Sequence, residues 1–138
     1  MSLDEIHPLV IHFPIALLST GFLCDLISCV LKNKGLEKAG WWNLVFGTVS
    51  SVFALITGLL MDMGSSPGLI DEPFPIYENH AMLQIMVVCA FLALLIWRFQ
   101  NYNFGNTKTK YIYISLLGIA VAILFYGSHL GAVFSGRF

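Results

Sequence analysis

Charge is what this chain has least of. Only 11% of its 138 residues are Asp, Glu, Lys or Arg, against 57% hydrophobic residues, and the formal net charge is -1. So few charged side chains cannot solvate a soluble surface around this much apolar sequence, and the composition therefore points to lipid as the main solvent. No basic excess supplies the field that nucleic-acid binding needs; Lys and Arg are scattered near the ends of hydrophobic segments, so a nucleic-acid partner is not expected. Cysteine is scarce too. Cys24, Cys29 and Cys89 all lie inside apolar runs and imply no disulfide framework. A Ser-His-Asp array, an HExxH helix, a CxxC pair and a phosphate loop are equally missing, which leaves hydrolase and nucleotide chemistry without support.

What is present is four long apolar stretches, from about Pro8 to Leu31, Trp41 to Met63, Ala81 to Phe99 and Tyr111 to Phe134. Roughly 20 helical residues cross about 30 Å of hydrocarbon, so each stretch is long enough or nearly so. Backbone in lipid must satisfy its own hydrogen bonds, and the alternating pattern of a barrel strand is missing. The predicted fold is all-α, an integral membrane four-helix bundle forming a single domain. Ser50, Ala54 and Gly58 in the second span, and Gly127 with Gly131 in the fourth, recur at the four-residue spacing that lets helices approach closely.

The connections differ in charge. Lys32, Lys34 and Lys38 follow the first span, and Arg98, Lys108 and Lys110 lie at or near the ends of the third connection; together they are all but one of the seven basic residues. The other side holds Asp4, Glu5, Asp71, Glu72 and Glu78, with Asp62 near its edge and Arg137 as its one basic residue. The positive-inside rule then puts both termini and the connection from Gly64 to Asn79 outside, on the periplasmic face of a bacterial inner membrane. A cleaved signal peptide is not expected, because acids precede the first apolar run and lysine follows it. Pro67, Gly68, Pro73 and Pro75 mark the second connection as a solvated loop or a cap over a site.

Once that topology is drawn, His7, His12, His80 and His129 all fall in the outer half of the membrane. Ionisable groups at membrane depth are costly and mark cofactor, ion or proton sites, and imidazole ligates both metal ions and haem iron. The competing reading is that each ring sits at the lipid interface. His7 and His12 are five residues apart, about 140° around a helix, so the two cannot chelate one ion as an i,i+4 pair does. Ligands from different helices remain, as in a bis-imidazole haem held within a bundle. Ala16 and Ser19 below His12, and Ala122 and Gly118 below His129 with Phe125 between them, would leave a slot for a flat macrocycle or serve as ordinary small-residue contacts. Gln84 lies under His80 and is placed to hold its second nitrogen.

Pro14 either breaks a hydrogen bond within the first helix or sits in its first turn. Met61, Met63 and Met82 would suit copper(I) together with imidazoles, or pack as hydrophobes. Asp25, the one carboxylate well inside a span, is expected to relay protons or to pair with Lys32 or a backbone donor.

The opening His7-Pro8-Leu9-Val10-Ile11-His12-Phe13-Pro14-Ile15-Ala16-Leu17-Leu18 resembles the hallmark of a bacterial membrane family, domain of unknown function 2231. Thr57-Gly58-Leu59-Leu60, Asn79-His80-Ala81 and the stretch from Gly127 to Gly131 are also similar to that family, so the likeness runs along nearly the whole chain. Members occur joined to, or beside, Rieske iron–sulfur and c-type cytochrome modules, which implies a place in membrane electron transfer; His7, His12 and His80 match the family's pattern.

The sequence reading is thus a b-type cytochrome-like membrane subunit, a non-catalytic electron carrier rather than a stand-alone enzyme. One haem b, or two, is expected in the periplasmic half, with His12 and His80 as axial ligands from diagonal helices. His7 and His129 are the second choice, and Arg137 would pair with a propionate. Lipid and a redox partner, a c-type cytochrome or Rieske protein, are the expected neighbours. Two alternatives stand beside it: a cofactor-free anchoring or assembly subunit, and a periplasm-facing copper or other metal site.

Overall fold

The computed structural model describes residues 3–64, 74–102 and 104–134, apart from the side chains of residues 3–6, 8 and 134. Four helices carry the described chain: α1 (Leu3–Leu31), α2 (Lys34–Asp62), α3 (His80–Gln100) and α4 (Thr107–Phe134), with a single 3-10 turn at Ile76–Glu78 before α3. No strand occurs among the described residues. All four helices are long and apolar enough to cross a membrane.

Asparagine starts three of them, since its short side chain accepts the orphan N–H groups of a first turn. Asn33 Oδ1 accepts from the Gly35 and Leu36 amides, Asn79 Oδ1 from the Met82 amide, and Asn106 Oδ1 from the Lys108 amide. The turn between α1 and α2 is consequently much tighter than the expected loop over 32–40. Lys32 adopts φ 52 and ends α1, the Asn33 amide bonds back to the Ser28 carbonyl, and Asn33 at once caps α2. Polar residues 34–40, read as connection because hydropathy reports only on lipid contact, form the first two turns of α2.

Around the bundle α1 packs on α2, α2 on α3, α3 on α4 and α4 on α1, so α1 faces α3 across a diagonal. Glycine sets the closest approach, between α1 and α2. A Cβ on Gly47 would stand 2.7 Å from Leu18 Cγ, and one on Gly21 would stand 3.1 Å from Asn43 Cβ. The core is Leu18 of α1, Leu44 of α2, Val87, Phe91 and Leu94 of α3, and Tyr113, Leu117, Val121 and Leu124 of α4. Only 28–33% of each span's apolar window is buried inside the bundle. Phe13, Phe53, Ile96, Phe99 and Ile119 are among many large apolar side chains turned outward, the pattern of a protein that is apolar on both faces of its helices and needs lipid around it.

Candidate functional site

Ionisable groups collect at the two ends of the bundle. At the end where α1 and α4 meet the start of α3, two histidines turn inward. His7 Nδ1 lies 2.9 Å from Thr57 Oγ1 on α2. The single hydroxyl proton of Thr57 goes to the Ala54 carbonyl at 2.9 Å, so the hydroxyl oxygen accepts and His7 Nδ1–H donates. The ring rests on Gly58, where a Cβ would stand 3.0 Å from His7 Cε1.

His80, the first residue of α3, donates Nδ1–H to the Gly127 carbonyl of α4 at 2.6 Å, because a carbonyl can only accept. Its ring fills the notch at Gly131: a Cβ there would meet Cε1, Nδ1 and Nε2 at 2.6 to 2.9 Å. Both imidazoles therefore have Nδ1 committed and, when neutral, present Nε2 as a lone-pair donor. His7, packed on α2, and His80, packed on α4, thus lie at the same end of the bundle.

The structure turns His7, rather than His12, into the bundle, where it packs on α2 at the end that also holds His80. With His7 turned to α2, the 140° offset carries His12 to the exposed outer face, next to exposed Phe13. His129 is exposed on α4. Arg137 lies outside the described residues, as does most of the second connection. Gly127, not Gln84, holds the second nitrogen of His80; Gln84 packs one turn further in, its Nε2 3.0 Å from where a Gly127 Cβ would be. α1 starts at Leu3, so Pro14 lies within the helix and the Val10 carbonyl loses its usual N–H donor.

The slots expected for a macrocycle are occupied or face outward. Phe22 of α1 fills the notch at Gly118, where a Cβ would stand 2.9 Å from its Cε2, and Ala16, Ala122 and Phe125 are exposed. Gly118 is thus used for helix contact while Ala16 and Ala122 face outward, and neither stripe leaves a slot inside the bundle that fits a porphyrin. Among the described residues no three His, Cys, Asp or Glu side chains are grouped to hold a metal ion. A metal here would rest on two imidazoles, with the half-buried thioethers of Met61, one turn beyond Thr57, and Met82, in the first turn of α3, as the nearest soft donors by register.

The opposite end holds a cluster that sequence reasoning missed. Arg98 of α3, 2% exposed, donates from Nη1 to Asp25 Oδ2 of α1 and to Tyr113 Oη of α4 at 3.0 Å, and from Nη2 to the Glu37 carbonyl of α2 at 2.8 Å. Tyr113 Oη donates in turn to Asp25 at 3.4 Å. The guanidinium lies 5.2 Å from the Tyr113 ring centroid, 5.8 Å from Trp41 and 5.9 Å from Phe104. Asp25 packs directly on Gly40, whose missing side chain makes room for the carboxylate. Outside this, Lys110 reaches Glu37 Oε2 at 3.0 Å. One arginine thus joins all four helices through charge-assisted bonds and stacking. Asp25 pairs with Arg98 rather than with Lys32 because Arg98 sits inside the bundle, whereas Lys32 projects from the turn. The signal was there: a lone carboxylate and an arginine within two apolar spans each need a partner in lipid.

These features define the class: a four-helix membrane protein closed by a buried charged clasp at one end and carrying an inward-facing imidazole pair at the other. A family model described as "Predicted membrane protein (DUF2231)" matches residues 3–138, and the chain belongs to that family. No curated protein and no solved structure matches it.

Proposed function

We propose that the protein is a membrane redox subunit whose metal centre is held by Nε2 of His7 and Nε2 of His80. The supporting observation is the state of the two rings: each has Nδ1–H fixed by an oxygen of a neighbouring helix, which is how metal-ligating histidines are oriented and made basic. The ligands come from different helices, as in metal centres built inside bundles. Because Phe22, Gln84 and His80 itself fill the glycine notches, a small soft ion such as copper suits this packing better than the haem expected from the sequence. Bound copper would supply one-electron exchange. The chain's own contribution is to orient the imidazoles through Thr57 and Gly127 and to seat them on Gly58 and Gly131.

The lysine-rich end belongs in the cytoplasm by the positive-inside rule, which turns the imidazole pair to the periplasm. There a c-type cytochrome or Rieske protein is the fitting electron partner. Protein made in copper- and haem-replete cells and purified in mild detergent tests this reading by elemental analysis and visible spectroscopy. The expected result is about one copper per chain, lost in His7→Ala and in His80→Ala and retained in His12→Ala. A reducible low-spin b-type spectrum that the same two variants abolish would keep the ligand pair and replace copper with haem. Colourless, metal-free protein would overturn the proposal and leave an anchoring or assembly subunit.

A further inference from the structure

The clasp end carries a cavity of about 150 Å³ between the start of α2 and the end of α3, lined by Lys34, Glu37, Lys38, Trp41, Arg98 and Tyr102. At roughly 30 Å³ per water this is space for about five waters, enough for a small anionic headgroup. Its floor is rigid, because Arg98 is fixed by Asp25, Tyr113 and the Glu37 carbonyl. Its rim is basic: Lys34 and Lys38 are exposed on the first turns of α2.

Glu37 is the one carboxylate in the lining, and it is already compensated by Lys110 at 3.0 Å and Lys34 at 3.5 Å. With Asp25 held by Arg98, the four cations Lys34, Lys38, Arg98 and Lys110 outnumber the two carboxylates. The cavity is therefore net positive. One wall is Trp41, in edge contact with Tyr102 at 5.8 Å and stacked with Phe99 at 6.3 Å. Trp and Tyr collect where lipid meets water, and Phe99 and Trp42, 72% and 51% exposed, continue the wall as a surface for acyl chains. A soluble anion would use the charge alone. An amphiphile uses both the charge and the apolar wall.

We propose that this cavity binds the phosphate of an anionic phospholipid, Lys34 and Lys38 closing on the headgroup while the acyl chains run along Phe99 and Trp42. Basic pockets between helices at the cytoplasmic face are suited to such headgroups. Short-chain phosphatidylglycerol and phosphatidylcholine, each titrated into the purified full chain in detergent and followed by tryptophan fluorescence, test it. Phosphatidylglycerol should bind at least about tenfold more tightly. A lysine near a membrane surface counts for about a factor of five, so Lys34→Gln with Lys38→Gln should weaken phosphatidylglycerol about twenty-fivefold. Lys32→Gln with Lys108→Gln removes the same charge from exposed positions of the same end outside the cavity, and should leave affinity nearly unchanged. Equal loss in both double variants would reduce the effect to general surface charge and overturn the site. So would equal binding of the two lipids by the unmodified protein, a comparison that needs no variant to fold. Displacement of the lipid by equimolar inorganic phosphate would assign the cavity to a soluble anion and overturn the lipid.

Discussion

Arg98 and Asp25 lie on helices that face each other across the bundle diagonal, and their ion pair is buried on both sides, each side chain 2% exposed. α1 and α3 thus meet through charge at one end, while each places an inward-turned histidine at the other. A buried pair is strongly destabilising to break, because the survivor is left charged and unpartnered, yet often neutral to replace as a whole. Asp25→Ala and Arg98→Met should each lower stability by about 3 to 5 kcal/mol. The double variant should recover much of that loss. Thermal melting in one detergent checks all three; a double variant as unstable as the sum of the singles would mean that the two residues act independently.

His80 on Gly131 gives a second expectation. A Cβ at Gly131 would meet three ring atoms at 2.6 to 2.9 Å, and the ring is pinned by its bond to Gly127 O, so it cannot move aside without losing that bond. A Cβ at Gly127 is crowded by the flexible end of Gln84, at 3.0 Å, and meets Leu83 Cβ at an ordinary 3.5 Å. Gly131→Ala should therefore destabilise by about 1 to 3 kcal/mol, the usual cost of overpacking. Gly127→Ala should cost clearly less, although the two glycines look equivalent as a four-residue repeat. Melting temperatures of the two variants decide it.

That repeat shows where sequence reasoning reaches and where it stops. Spans, helix number and close packing at Gly58, Gly127 and Gly131 were legible, because lipid solvation and backbone access depend on residue type and spacing alone. The prediction that the first and third spans lie on a diagonal follows from short connections, and the packing order agrees. Which histidine of the first helix turns inward was not legible: His7 and His12 are 140° apart, and the choice depends on the rotation of α1, set by Gly47 on Leu18 and Gly58 on His7. Arg98, at the end of the third span, was counted with the charges of the third connection because topology counting treats every basic residue near a span end alike. Its burial depends on Asp25, Tyr113 and Trp41 arriving from three other helices.

Orientation is open to a direct test. The positive-inside expectation places the turn before α4 in the cytoplasm and the 3-10 turn before α3 in the periplasm. Asn106 and Glu78 are exposed at those two places. In a background with Cys24, Cys29 and Cys89 changed to Ala, a membrane-impermeant thiol reagent applied to intact cells whose periplasm it can enter should label Glu78→Cys and spare Asn106→Cys. The reverse pattern would turn the imidazole pair toward the cytoplasm and remove periplasmic electron carriers as partners.

Thr48 sits at 0% exposure in the middle of α2, and its hydroxyl is the one fully buried side-chain oxygen without a hydrogen-bond partner among the described residues. Its neighbour Ser51 is also buried, but donates from Oγ to the Thr48 carbonyl at 2.7 Å. An unpaired buried hydroxyl costs about 1 to 3 kcal/mol, whereas a satisfied one in a membrane bundle contributes a fraction of that. Val keeps the branched shape of Thr and removes the oxygen, so Thr48→Val should raise the melting temperature by the equivalent of about 1 kcal/mol. Ser51→Ala, which deletes a bonded hydroxyl from the same helix, should leave stability unchanged or lower it slightly. The opposite signs matter more than either magnitude. If Thr48→Val is destabilised instead, the Thr48 hydroxyl has a partner in the folded protein, and the centre of the bundle holds a polar contact of its own.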